Sequence, residues 1–157
     1  MRLYVLRHGI AYEREEWAGP DDSRPLTEEG TDRAKDIAKA LKKKLKVDAI
    51  WSSPLVRSLQ TAHITGEVLG LPVKVVDELS SGTTLSRLEA KFKKLEPLPD
   101  NLMLVGHEPD CGSIIAGLIG DPSGDYALKK NGIALLEGNF KAGGMKLSWK
   151  LTPKDIL

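Results

Sequence analysis

Two of the three histidines in this 157-residue chain, His8 and His107, each follow a short apolar run that ends as a buried strand would. His8 sits in Arg7-His8-Gly9 and His107 in Gly106-His107-Glu108, while Arg57 comes soon after a third run, in Ser52-Ser53-Pro54-Leu55-Val56-Arg57. In an open α/β sheet, ligands bind just beyond the carboxyl ends of the strands, so Arg7, His8, Arg57 and His107 are expected to converge there. Two guanidinium groups and two imidazoles around one point make a dianion pocket, because guanidinium donates in a planar fork that matches phosphate oxygens and stays charged at any working pH. A neutral imidazole nitrogen held in line with a P–O or P–N bond can displace the leaving group, giving a phosphohistidine that water then attacks. Gly9 allows close backbone approach, and a carbonyl there could fix the ring tautomer.

Other phosphate chemistries fit less well. A cysteine phosphatase needs an arginine six positions after its nucleophile, and six positions after Cys111 stands Gly117. His8, His63 and His107 lack the clustering with Asp that a two-metal phosphatase requires, and His63 falls within a helical stretch. No metal or organic cofactor is expected, since the two arginines can supply the electrostatics. A mutase reaction stays open in principle. So does a phosphate-recognising binding module without turnover, although binding alone would need no nucleophile at His8.

The elements that must hold these residues are legible from periodicity. Strands are expected at Arg2–Leu6, Asp48–Ser52, Val73–Val76 and Asn101–Val105, alternating with helices. Ala34, Ile37, Ala38, Leu41 and Leu45 recur at helical spacing behind Thr27 as N-cap. A second helix is expected to start at Ser53 with Pro54 in its first position, carrying Leu55, Leu59 and Ala62 on one face. A third bears Leu85, Leu88, Phe92 and Leu95 and stops at Pro97 and Pro99; a shorter fourth runs through Ile114, Ile115 and Leu118. Gly132–Asn139 and Met145–Leu151 read as two strands joined across Lys141–Gly144, a hairpin at one sheet edge. The fold class is therefore α/β: a three-layer α/β/α domain with a mostly parallel sheet and an antiparallel edge, spanning 1–157 as a single domain.

Composition bounds the partners. Charged residues balance to +1, which gives no reason for a nucleic-acid partner, and the Lys42, Lys43, Lys44 and Lys46 run is best explained as a solvated helix C-terminus. No apolar stretch approaches the roughly 18 residues of a membrane span, and the initial run is too short for a secretory signal. A cytoplasmic protein with no membrane partner is expected. The lone Cys111 excludes an intrachain disulfide and reads as a small buried hydrophobe.

Four segments, LYVLRHG ending at Gly9, RPLTEEG from Arg24 to Gly30, SSPLVRSLQTA around Arg57, and VGHEP around His107, occur in one order at strand and helix boundaries. In these the chain resembles the histidine phosphatase superfamily, the phosphoglycerate mutase-like group, and within it the short phosphohistidine phosphatases of the SixA type. The resemblance implies that His8 is the phosphorylated nucleophile, that Arg7 and Arg57 bind phosphoryl oxygens, and that His107 completes the pocket and stabilises charge in the transition state. Arg24 would lie near the rim or serve the scaffold. Larger members carry a carboxylic acid in a Leu-x-Glu segment, whereas this chain has Val76-Asp77-Glu78-Leu79, leaving Glu78 and Asp21 as weak acid candidates. An alkoxide leaving group benefits from such an acid by about 10²–10⁴-fold, while an imidazole leaves more easily, so the absence suits a phosphoramidate. The expected substrate is a phosphohistidine protein, with a small phosphomonoester as the alternative. Short connections lead to the expectation of an open mouth.

Overall fold

The structure is a computed structural model and describes residues 1–157. Its centre is a six-stranded sheet made of β1 (Arg2–Arg7), β2 (Ala49–Ser52), β3 (Val73–Val75), β4 (Asn101–Gly106), β5 (Ile133–Gly138) and β6 (Met145–Leu151), in the order β3-β2-β4-β1-β5-β6. β1, β2, β3 and β4 run parallel, and β5 and β6 form the antiparallel edge. Because side chains alternate along a strand, each central strand feeds both faces of the sheet. Leu3, Val5, Leu102 and Leu104 pack on one side against Leu88 and Phe92 of α3 (Leu85–Lys94) and Ile115 and Leu118 of α4 (Asp110–Ile119). On the other side, Tyr4, Leu6, Met103 and Val105 meet Ile37 and Leu41 of α1 (Glu28–Lys42), Ala62 of α2 (Val56–Leu69) and Ile156 of α5 (Pro153–Ile156). The result is the expected three-layer α/β/α arrangement.

Local chemistry explains the helix ends. Thr27 caps α1 by accepting from the Gly30 amide at 2.9 Å, and Thr84 caps α3 by accepting from Arg87. Gly70 and Gly120, both in the left-handed region, close α2 and α4. The C-terminal α5, not foreseen, carries a legible signal in Thr152-Pro153-Lys154-Asp155, a capping box with proline at the first helical position. The second helix corrects the sequence reading: α2 begins at Val56, not at Ser53. The Ser53 amide stays in the sheet ladder, donating to the Val105 carbonyl at 3.0 Å, and its hydroxyl accepts from Leu55 at 3.2 Å, so Ser53–Leu55 forms a turn before the helix. No helix is long and apolar enough to cross a membrane. A surface cleft of about 1060 Å³ lies between α3 and the β5–β6 hairpin near Met1 and Pro97, at the end of the sheet opposite His8.

Candidate active site

Strand register brings the chemistry together. In the adjacent parallel strands Arg7 pairs with Gly106 and Ser52 with Val105, so the next residues, His8, His107 and Ser53, leave the sheet side by side. The His8 amide donates to the Gly106 carbonyl at 2.9 Å. From the other side, the Arg7 amide donates to Gly132 and the Asn131 amide to the His8 carbonyl, each at 3.0 Å.

His8 is 5% exposed, and its Nδ1 lies 2.6 Å from the Gly9 carbonyl oxygen. A carbonyl only accepts, so the proton sits on Nδ1 and Nε2 keeps its lone pair. Burial pushes the His8 pKa down to about 3, against the pull of the Gly9 hydrogen bond and with help from the charges of Arg57 and Arg7. The Gly9 amide is held at 3.0 Å by the Thr61 hydroxyl, which donates in turn to the Arg57 carbonyl at 2.8 Å. One threonine on α2 thus ties the His8 loop to the arginine-bearing turn.

Arg7 donates through Nη1 to the Leu128 carbonyl at 2.8 Å, and Glu108 fixes Leu128 by accepting from its amide at 2.8 Å. Arg57, in the first turn of α2, donates through Nη1 to the Asp21 carbonyl at 2.9 Å and pairs through Nη2 with the Asp21 carboxylate at 3.2 Å. Both Nε–H groups, on Arg7 and on Arg57, are buried without a protein acceptor. A buried donor left unpaired costs about 1–3 kcal/mol, so two guanidinium groups in this state beside a neutral imidazole suit an oxyanion.

His107 is 3% exposed, with Nε2 at 3.2 Å from the Ser53 hydroxyl and Nδ1 at 3.4 Å from a carboxylate oxygen of Asp110. Burial pushes its pKa down, while the Asp110 charge pushes it up without fully offsetting that effect.

The three remaining candidates lie at different distances from this chemistry. Asp21 contacts Arg57 directly and also pairs with Arg24 at 3.0 Å and Arg14 at 3.5 Å. Partial burial raises its pKa, but the Arg24 hydrogen bond and the three arginine charges outweigh it and hold the carboxyl below the usual range. It is thus ionised and has no proton to give. Arg24 braces the rim, donating to Asp21 and to the Tyr12 carbonyl. Glu78 pairs with Lys91 of α3 at 3.7 Å and makes no hydrogen bond to the four central residues. The Asp21–Ser23 turn lies against Arg57, itself 5% exposed.

Four residues escaped the sequence reading: Ser53, Thr61, Asp110 and Asn131. Thr61 and Asp110 had a signal, standing four residues after Arg57 and three after His107. Asn131 has a positive φ of 61°, is 1% exposed, and leaves both side-chain amide atoms unpartnered against Gly9. No group of three or more His, Cys, Asp or Glu side chains is placed to hold a metal ion.

A buried neutral imidazole and two arginines with unpaired donors at the carboxyl edge of an α/β sheet form a site suited to phosphoryl transfer. Residues 3–110 match the family model of the histidine phosphatase superfamily (branch 1); the chain belongs to that superfamily and is a phosphatase of the histidine-nucleophile class. It is 39% identical over 137 residues to an uncharacterised protein of Picosynechococcus sp., covering 85% of this chain and 82% of that one. It is 26% identical to the phosphohistidine phosphatase SixA of Escherichia coli, with 99% and 96% of the two chains covered. A solved structure of the protein histidine phosphatase SixA complexed with tungstate superposes with a TM-score of 0.84 at 26% identity, covering 100% of both chains.

Proposed function

We propose that the 157 residues act as one domain that removes the phosphoryl group from phosphohistidine on a protein, with His8 as the nucleophile. One observation carries this reading: the Nε–H donors of Arg7 and Arg57 are buried and unpaired beside a His8 whose Nε2 is free. Tungstate is a tetrahedral oxyanion of the kind such donors would hold, and its presence in the SixA structure supports the same use here. Arg7 and Arg57 bind the phosphoryl oxygens and neutralise charge as the bond to phosphorus breaks, and His107 closes the pocket. Water then attacks the phosphohistidine on His8.

The substrate class follows from what surrounds the leaving group. Asp21 is ionised by its three arginines and Glu78 is turned to Lys91, so neither carboxyl is held ready as a proton donor. A phosphoramidate, whose leaving nitrogen accepts a proton readily, suits that pocket better than an unactivated alkyl ester. Incubating the wild type and His8→Ala with a phosphohistidine protein and with an unactivated alkyl phosphate tests both points. Phosphate release and an acid-labile label on the enzyme should vanish together in the variant. Arg57→Ala should lose about 10²–10³-fold in kcat, the scale expected for removing one transition-state donor. Turnover that survives without His8 would overturn the assignment of the nucleophile, and turnover of an alkyl phosphate equal to that of phosphohistidine would overturn the substrate class.

A further inference from the structure

His107 has two ring nitrogens in different company. Nε2 faces the Ser53 hydroxyl at 3.2 Å, beyond the carboxyl end of β2, whereas Nδ1 faces Asp110 Oδ2 at 3.4 Å. The same carboxylate oxygen accepts from the Gly82 amide at 3.0 Å, and Asp110 is 7% exposed in the first turn of α4, where the helix dipole favours negative charge. No hydrogen bond joins the two, but a lone pair on Nδ1 would face the carboxylate at 3.4 Å and be repelled by its charge, so the neutral ring is favoured with its proton on that nitrogen. We propose that Asp110 is a positioning residue that locks the proton on Nδ1 of His107, so that Nε2 is the nitrogen that gives and takes a proton during turnover.

This rests on the phosphohistidine reading above and gives His107 the leaving-group proton that neither Asp21 nor Glu78 is placed to offer. In the first step, which starts from the His107 cation, His8 Nε2 bonds to phosphorus, the P–N bond of the substrate breaks, and the leaving nitrogen receives the Nε2 proton, leaving His107 as the neutral ring protonated on Nδ1. In the second, a water oxygen bonds to phosphorus, the bond from phosphorus to His8 breaks, and the water's proton returns to His107 Nε2. Burial, Arg57 and the neighbouring His8 oppose the His107 cation, while Asp110, the Leu79 carbonyl and Glu108 favour it. Asp110 is the one of these that touches the ring as an anion.

Asp110→Asn keeps an acceptor for the Gly82 amide but removes the charge. The basic limb of kcat/KM toward phosphohistidine should therefore move by about one pH unit to lower pH. At pH values where His107 is protonated in both proteins, the rates should agree within about threefold. Nitrogen-15 NMR of the His107 ring reads the tautomer without any turnover: the neutral wild-type ring should carry its proton on Nδ1, and Asp110→Ala should release a large Nε2–H population. A uniform loss of rate with an unmoved limb, or the same tautomer in wild type and Asp110→Ala, would overturn the proposal. Absence of turnover in the wild type would instead count against the phosphatase substrate, and the NMR comparison alone would then decide the role of Asp110.

Discussion

An imidazole attacks phosphorus only through an unprotonated nitrogen, and at His8 two separate effects secure one. The Gly9 carbonyl selects which nitrogen is free, and burial keeps the ring neutral with a pKa near about 3. NMR titration should accordingly show His8 uncharged down to roughly pH 4, and no acidic limb near its ordinary value of about 6.5 should arise from it. The same shift carries a sign for stability. Below about pH 6.5 the unfolded chain binds a proton at His8 that the native chain refuses, so this residue's contribution is full above that pH and is lost as pH falls towards 3. Unfolding by denaturant at pH 7 and pH 5 should show the wild type losing more stability across that interval than His8→Ala, by up to about 1.4 kcal/mol per pH unit. Asn131 works through its backbone: in the left-handed region it brings its amide to the His8 carbonyl. A β-branched residue is strained there, so Asn131→Val should cost about 1–3 kcal/mol while Asn131→Gly stays near the wild type in thermal unfolding. Arg7, His8 and His107 were legible because strand ends announce themselves in the apolar pattern. Asn131 and Ser53 were not, since their importance depends on where a distant loop returns and on how a turn leaves the sheet.

The helices hold the site by their first turns. At the start of α1 the Thr27 amide donates to the Ile10 carbonyl at 3.0 Å, and a Cβ on Gly30 would collide with that carbonyl, so the helix is seated against the loop that follows His8. The Ala11–Leu26 bridge and the hydrogen bond from the Leu26 amide to Gln60 at 2.8 Å complete the junction between this loop, α1 and α2. Thr27→Ala should cost about 1 kcal/mol through the lost cap, visible in denaturant unfolding. Gly30→Ala must push the loop away from α1 and should lower kcat as well as stability. Helix spans were readable from apolar spacing and caps, and the Lys42–Lys46 run is indeed exposed at the end of α1. The start of α2 was misread because proline marks both a helix start and a turn. Only the sheet hydrogen bond of Ser53 decides between the two.

At the level of the molecule, the order of the strands creates the pocket: β1 lies between β4 and β5, so the strand bearing His8 is flanked by the one that leads to His107 and the one that follows Asn131. Periodicity revealed alternating strands and helices and the antiparallel edge, but not this order, which is settled by pairing between segments far apart in the chain. The two apolar layers have separate tasks. Phe92 packs edge-on to Trp51 with ring centroids 5.0 Å apart and also meets Phe140, within the layer on the α3 and α4 side. Phe92→Ala should cost about 3–5 kcal/mol, yet activity per folded molecule should stay within about twofold, as thermal melts and active-site titration together would show. The pair of guanidinium Nε–H groups without acceptors acts on the same scale. Whatever fills them stabilises the native chain by mass action, and the phosphate released at the end of each cycle presents the same oxygens as the group that arrived. Free phosphate should therefore raise the melting temperature and compete with substrate. A cell's phosphate level would then act as a brake on this enzyme, with no separate regulatory site.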